Sequence, residues 1–175
     1  MSAAAGAPRT VQLALGSNLG DRLLNLRGAL GRLATRGSLI AVSGLFETAP
    51  SGVTEQPAFY NAACALATPL SLPELLVLAK QIEWELGRRP SRVWGPRPCD
   101  IDILLAGEET CASPSLTVPH PRLAERGFVL APLAEIAAKV VVPGTGKTVQ
   151  ALCSALPVAE REGVRRIAGP EWAVG

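Results

Sequence analysis

The order of the apolar segments constrains this fold more than any other feature of the sequence. Apolar segments at 11–15, 39–48 and 59–67 predict strands, and only a loop over 49–57 separates the last two. Two consecutive parallel strands would need a crossover helix between them. Strands that do not alternate regularly with long helices therefore predict an antiparallel sheet in an α+β fold.

Helical spacing of leucines predicts a helix that follows the first strand and ends at Gly37. Ser71 and Glu74 resemble a capping box that opens a second helix, which ends at Gly87. Further predicted elements are a strand over 99–105, a helix near 129–138, a strand over 140–142 and a helix over 149–156. Residues 1–10 are expected to be disordered, and the segment after Pro157 shows no clear pattern. One domain over 1–175 is expected.

The composition excludes several classes of protein. Hydrophobic residues make up 48% of the chain and charged residues 18%, which is typical of a globular protein. The net charge of +2 gives no argument for nucleic acid or a membrane surface. The four cysteines form no C-x-x-C motif and His120 is the single histidine, so a zinc cluster is not expected. We expect reduced cysteines, no secretory signal, no membrane span and a cytoplasmic location.

Asp100 and Asp102 are the strongest candidates for chemistry, because the chain has only three aspartates. Side chains alternate along a strand, so both carboxylates are predicted on one side, with Ile101 in the core. Neighbouring carboxylates repel each other unless a cation neutralises them, and oxygen ligands of this kind suit Mg²⁺. A solvated strand end with arginine partners is the alternative, and the pair alone does not decide between them.

A basic loop precedes the aspartates. It contains Arg88, Arg89, Arg92 and Arg97 together with Trp94. Arginine presents a planar fork of donors that suits phosphate oxygens. The loop is predicted to close over a triphosphate. A basic surface loop is the alternative, and Trp94 fits either core packing or contact with a base.

Two further sites depend on context. His120 lies between prolines ahead of Arg122 and Arg126, which favours phosphate contact over a purely structural role. Phe59 and Asn61 share one face of the third strand, where an aromatic ring and an amide suit a flat heterocycle. On these residues alone, core packing is the better interpretation of Phe59.

The segment 144–148 (GTGKT) resembles a Walker A loop. The full motif needs a glycine five positions before Gly146, but that position is Val141 in a predicted strand. The loop is too short to surround phosphates, so a P-loop is not expected.

Four segments together resemble the 6-hydroxymethyl-7,8-dihydropterin pyrophosphokinase family of folate biosynthesis. They are ALGSNLGDR (14–22), FETAPSGVTEQPAFYNAA (46–63), IEWELGRRPSRVWGPRPCDIDILL (82–105) and VPHPRLAERGFVLAPLAEIA (118–137). The resemblance implies a ferredoxin-like fold with a four-stranded antiparallel sheet between helices and a mobile loop over the active site. It also implies an ATP-dependent diphosphokinase, which transfers pyrophosphate from ATP to the pterin and releases AMP.

The same resemblance implies roles for particular residues. Arg88 and Arg97 are expected to be catalytic, and Asp100 and Asp102 to hold two Mg²⁺ ions. The implied ATP contacts are Glu83, Trp94, His120 and Arg126, and the implied pterin contacts are Thr48, Phe59, Asn61 and Phe128. The turn 16–18 would pack behind the pterin.

Some positions depart from family members. Lys80 stands where a glutamine can contact the nucleotide, and Pro121 where some members have an aromatic residue. The loop before Trp94 is one residue shorter than in some members. Either Arg89 or Arg92 could therefore be the second basic residue of the loop that contacts substrate.

Two rival hypotheses make different predictions. A P-loop kinase would need Lys147 and release ADP, and a ferredoxin-like RNA-binding module would show salt-sensitive affinity. We expect small-molecule substrates, no nucleic acid or membrane partner, and a monomer or weak homodimer.

Overall fold

The computed structural model describes residues 7–50, 55–91, 93 and 95–175. The strands are β1 (Arg9–Ser17), β2 (Ser38–Val42), β3 (Leu45–Thr48), β4 (Phe59–Thr68), β5 (Asp100–Leu105), β6 (Cys111–Ala112), β7 (Thr117–Val118), β8 (Val141–Val142), β9 (Lys147–Thr148) and β10 (Val164–Ala168). The helices are α1 (Arg22–Leu33), α2 (Leu72–Glu85), α3 (Gly127–Ala137), α4 (Val149–Ser154) and α5 (Val158–Glu162). Short 3₁₀ turns cover Leu123–Glu125 and Pro170–Ala173.

One antiparallel sheet organises these elements. Its strand order is β10-β3-β4-β1-β5, and β2 also pairs with β4. Two small hairpins, β6–β7 and β8–β9, lie outside it. The predicted α+β fold with an antiparallel sheet flanked by helices is confirmed. Within the described part of the chain, no helix combines the length and apolar character that a membrane crossing needs.

The predicted strand over 39–48 is wrong as a single element. Ser43 and Gly44 divide it, because the Ser43 hydroxyl accepts a hydrogen bond from the Ala63 amide at 2.9 Å and replaces the regular pairing. A side chain at Gly44 would lie 2.7 Å from the Ala168 carbonyl oxygen, so the close approach of β10 requires glycine here.

Both ends of the chain contain strand residues that the sequence did not predict. The expected disorder of residues 1–10 is wrong for Arg9 and Thr10, because both pair with β4. β10 extends the predicted four-stranded sheet at the β3 edge. It shows no alternating pattern because it is an edge strand in which Arg165 and Arg166 are both exposed.

The sheet has an apolar core on each face. Leucines at the predicted helical spacing in α1 pack with α2 and one face of the sheet. The other face packs against α3 and α4 through residues such as Leu104 and Leu130. Because Asp100 and Asp102 share their face of β5 with Leu104 but lie outside this second core, they are left at its open end.

The predicted capping box of α2 is confirmed. The Ser71 hydroxyl accepts from the Glu74 amide at 3.4 Å, and the Glu74 carboxylate accepts from the Ser71 amide at 2.7 Å. The helix is followed by Gly87 at a φ of 96°, a conformation that favours glycine.

We predict that Ser71→Ala lowers the free energy of unfolding by about 1 kcal/mol, because it leaves a helix amide without its acceptor. Urea denaturation measures the change. Ser38→Ala, at an exposed first residue of β2, is the control and should have a much smaller effect. Equal effects of the two substitutions would contradict the role of the cap.

Candidate active site

A cavity that opens to solvent lies between the open end of the sheet face and the N-terminus of α3. Its described lining residues are Ala14, Leu15, Gly16, Thr48, Ala49, Phe59, Asn61, Arg97, Asp100, Asp102, Arg126 and Phe128. Eight of these are site residues that the sequence predicted. They come from β3, β4, β5, the loop before β5 and the start of α3.

The register of the sheet builds the floor of this cavity. Gly16 of β1 pairs with Asn61 of β4 on one side and with Asp100 of β5 on the other. A Cβ at Gly16 would lie 3.5 Å from the Asn61 amide oxygen and 3.8 Å from the Phe59 ring. Glycine at this position therefore keeps space open between the amide and the carboxylate.

The half of the cavity near β3 suits a flat polar ring. Phe59 and Phe128 both line it and provide aromatic surface from β4 and α3. The buried Asn61 amide donates to the Thr48 hydroxyl at 2.8 Å, which fixes the orientation of both groups. The sequence prediction that Phe59 and Asn61 share one face is confirmed.

The two aspartates differ in their electrostatic surroundings. Arg88 and Arg97 both form ion pairs with Asp100, the second at 2.9 Å. Burial acts to raise the pKa of Asp100, but the two arginines outweigh burial and lower it. Burial and the neighbouring charge of Asp100 raise the pKa of Asp102 to about 6. The neighbouring arginines therefore balance the charge of Asp100, whereas the charge of Asp102 is not fully balanced.

Glu83 contacts the backbone between the two aspartates and one of the arginines beside them. Its side chain is buried, and it accepts from the Ile101 amide at 2.8 Å and from Lys80 Nζ at 3.0 Å. Its second oxygen lies 2.9 Å from Arg88. Burial raises the pKa of Glu83. Glu83 therefore links α2 to both the start of β5 and the arginine that reaches Asp100.

A second, wider cavity of about 710 Å³ lies beside α2 and the basic loop. It is lined by Lys80, Glu83, Trp84, Arg88 and Arg97, among others. Arg97 borders both cavities.

Asn18 is a positioning residue whose contacts the sequence analysis did not predict. Its side-chain oxygen accepts from the Arg97 backbone amide at 2.8 Å, and the Asn18 backbone amide donates to the Arg97 carbonyl at 3.1 Å. These bonds attach the loop to the end of β1. The polar turn after the first strand was the available sequence signal, but it does not identify the partner.

The remaining predicted residues have different outcomes. His120 does not line either cavity among the described residues, although its amide anchors the loop to Leu104 at 3.0 Å. Burial and the nearby Arg126 and Arg122 lower the pKa of His120. Trp94 and Arg92 lie outside the described residues, so their predicted contacts stay predictions.

The carboxylates fit a metal that substrate also helps to hold. Within the described ranges, no group of three or more His, Cys, Asp and Glu residues is arranged to bind a metal ion. Two carboxylates on one cavity wall match the needs of Mg²⁺, which usually takes one or two carboxylates with water and phosphate oxygens. The raised pKa of Asp102 is the observation that favours a cation here.

Comparison with known proteins assigns the family. Residues 12–138 match the 7,8-dihydro-6-hydroxymethylpterin-pyrophosphokinase (HPPK) family. The chain belongs to the HPPK family. It is similar to the 2-amino-4-hydroxy-6-hydroxymethyldihydropteridine pyrophosphokinase of Bacillus subtilis, with 48% identity over 130 residues, covering 73% of this chain and 78% of the relative.

Other HPPK relatives are much longer. The mitochondrial folate synthesis bifunctional protein of Arabidopsis thaliana is 48% identical over 133 residues, covering 75% of this chain but 24% of the relative. A crystal structure of Plasmodium falciparum HPPK-DHPS superimposes with a TM-score of 0.71 at 17% identity, covering 85% of this chain and 45% of that one. This chain therefore spans about a quarter of the Arabidopsis relative and somewhat under half of the Plasmodium chain. The structural match supports the HPPK fold.

We predict that Asp102→Asn stabilises the protein at pH 7 in a chelator by roughly 1–3 kcal/mol. The folded-state pKa of Asp102 is about 6 against an ordinary 3.8, so the wild type loses stability as pH rises through this interval. The asparagine removes that loss, and the difference should vanish below about pH 4. Urea denaturation from pH 3.5 to 8 measures it.

Glu108→Gln is the control, because it removes an exposed carboxylate in a turn and should leave the free energy of unfolding unchanged. A destabilised Asp102→Asn protein at pH 7 would contradict the electrostatic account.

Proposed function

We propose that this HPPK-family chain transfers pyrophosphate from ATP to 6-hydroxymethyl-7,8-dihydropterin. The observation that carries the proposal is one cavity with two phenylalanines and a fixed amide at one end and the carboxylate pair at the other. The pterin hydroxyl oxygen attacks the β-phosphorus, and the bond from that phosphorus to the α,β-bridging oxygen breaks. AMP leaves, and the hydroxyl proton is released.

The pterin binds in the half of the cavity near β3. Phe59 and Phe128 stack against its ring, while Thr48 and Asn61 hydrogen-bond to its polar edge. The Thr48–Asn61 hydrogen bond supports this role, because it orients the amide before substrate arrives. Gly16 leaves room for the ring to approach the carboxylates.

Asp100 and Asp102 are the residues that would hold two Mg²⁺ ions. Such ions would supply positive charge to balance the phosphates and would favour loss of the proton from the pterin hydroxyl. No side chain near the carboxylates is assigned as a general base. The role of the protein is then mainly to position the reactants and balance their charge.

Arg88 and Arg97 are catalytic residues that stabilise the transferring phosphates. Both pair with Asp100 in this structure, which keeps them beside the place that the phosphates would occupy. Glu83 acts on Arg88 as a positioning residue near the nucleotide, because its buried carboxylate contacts Arg88 and the β5 backbone.

Arg126, His120 and Trp94 complete the ATP site. Arg126 supports this proposal best, because it lines the cavity that contains both aspartates. His120 follows in the loop attached to Leu104. Trp94 and the basic loop close over ATP and exclude water, which would otherwise hydrolyse it.

The biological setting follows from the same proposal. We propose one domain over 1–175 that acts on small molecules in folate biosynthesis, without nucleic acid, as a monomer or weak homodimer. The cytoplasmic location stays a prediction, and plant relatives in Arabidopsis thaliana and Pisum sativum are named as mitochondrial.

The decisive experiment identifies the nucleotide product. Incubation with ATP, Mg²⁺ and 6-hydroxymethyl-7,8-dihydropterin should yield equal amounts of AMP and pterin diphosphate, separated by anion-exchange chromatography. Reactions without pterin or with excess chelator are the controls and should leave ATP intact. ADP would instead support a P-loop kinase, and RNA binding without turnover would support the binding-module hypothesis.

We predict that Asp102→Ala lowers kcat at least about 10³-fold, because it removes a metal ligand and with it the charge balance. Lys147→Ala should leave kcat unchanged, because Lys147 is exposed in β9 after a hairpin turn. Steady-state AMP formation measures both. Similar losses of kcat in the two variants would support the P-loop hypothesis, in which Lys147 of the GTGKT segment is required.

A further inference from the structure

The C-terminal segment (residues 157–175) lies beyond the family match, which ends at residue 138. It nevertheless contacts both elements that form the walls of the pterin cavity. These elements are β3, which carries Thr48, and α3, which begins next to Phe128.

The first contact is at the N-terminus of α3. The Gly127 amide donates to the Glu160 carboxylate at 3.0 Å. Residue 126, at the N-cap, is an arginine, whose side chain has no acceptor atom and cannot cap the helix. Glu160 therefore supplies the cap from a different element, and its negative charge suits this end of the helix.

The backbone around Glu160 lies against the same residue. A Cβ at Gly127 would lie 2.1 Å from the Glu160 carbonyl oxygen. Glycine therefore allows α5 to approach α3 at a fixed distance, immediately before Phe128.

The second contact is with β3. β10 pairs antiparallel with it, and Val164 lies opposite Thr48. Arg165 also forms an ion pair with Glu47 of β3 at 2.5 Å. A short edge strand therefore gains backbone and side-chain partners from the C-terminal segment.

Further hydrogen bonds join the C-terminal segment to α3 and to the residues just before β3. Glu135 of α3 accepts from Arg166 of β10 and from the Gly44 amide before β3, both at 2.6 Å. The buried Trp172 donates from its indole to the Ser43 carbonyl at 2.8 Å. The C-terminal segment thus joins α3 and β3 at several points.

We propose that Glu160 is a positioning residue for pterin binding: by capping α3 from the C-terminal segment, it sets the placement of Phe128 relative to β3. The inference rests on the proposed function. It assigns to a segment outside the matched region a role in substrate affinity and not only in folding.

The test compares Glu160→Ala with Glu162→Ala, which removes an exposed carboxylate from the same helix. Glu160→Ala should raise the Kd of 6-hydroxymethyl-7,8-dihydropterin about three- to tenfold, the range expected for a lost cap. The Kd of Mg²⁺-ATP should change less than that of the pterin, and kcat at saturating pterin should be retained. Calorimetry and AMP formation measure these values, and hydrogen exchange measures protection of the Gly127 amide.

Glu160→Gln should lie between the wild type and Glu160→Ala, because its amide oxygen can still accept from Gly127. Glu162→Ala should match the wild type in every measurement. An unchanged pterin Kd in Glu160→Ala, or equal losses for pterin and ATP with a lowered Tm, would overturn the positioning role while leaving the proposed function intact. A wild-type protein that neither binds pterin nor forms AMP would overturn both.

Discussion

The site depends on two neighbouring carboxylates, Asp100 and Asp102, of which only Asp100 is paired with arginines. Asp100 is paired with two arginines, whereas burial and its neighbour raise the pKa of Asp102 to about 6. A cation bound beside Asp102 would stabilise its ionised form and balance the charge of the two carboxylates. The buried Glu83 contacts one of these arginines and the backbone between the aspartates, so α2, the basic loop and β5 are coupled at one point.

The register of the sheet places other polar groups next to these carboxylates and so forms a cavity. Antiparallel pairing places Gly16 between Asn61 and Asp100, so an amide and a carboxylate face one space across a position without a side chain. The apolar core under α3 includes Leu104 but not the aspartates on the same face. The site is therefore the part of this face that the helix leaves uncovered, and the helix contributes an aromatic wall through Phe128.

Local patterns carried much of the sequence prediction. The period of two in β5 was enough to place both aspartates on one side. The rejected GTGKT segment consists of the end of a hairpin turn and strand β9, which pairs with β8. Features that depend on distant partners were missed. The break at Ser43 needs the Ala63 amide, and the pairing of β10 needs the exposed edge of β3. The contact of Asn18 with Arg97 joins residues 79 apart in sequence, for which local periodicity gives no signal.

The sequence by itself determined the fold class, the family and the chemical types at the site, because strand period, capping residues and the four family segments are local properties of the chain. Only the tertiary structure decided how the charges are shared. Whether Glu83 faces solvent or supports Arg88, and whether Glu160 is a surface carboxylate or the cap of α3, depends on which elements pack together. Burial and hydrogen-bond partners belong to the assembled fold, and they determine the pKa of a carboxylate and the position of a wall.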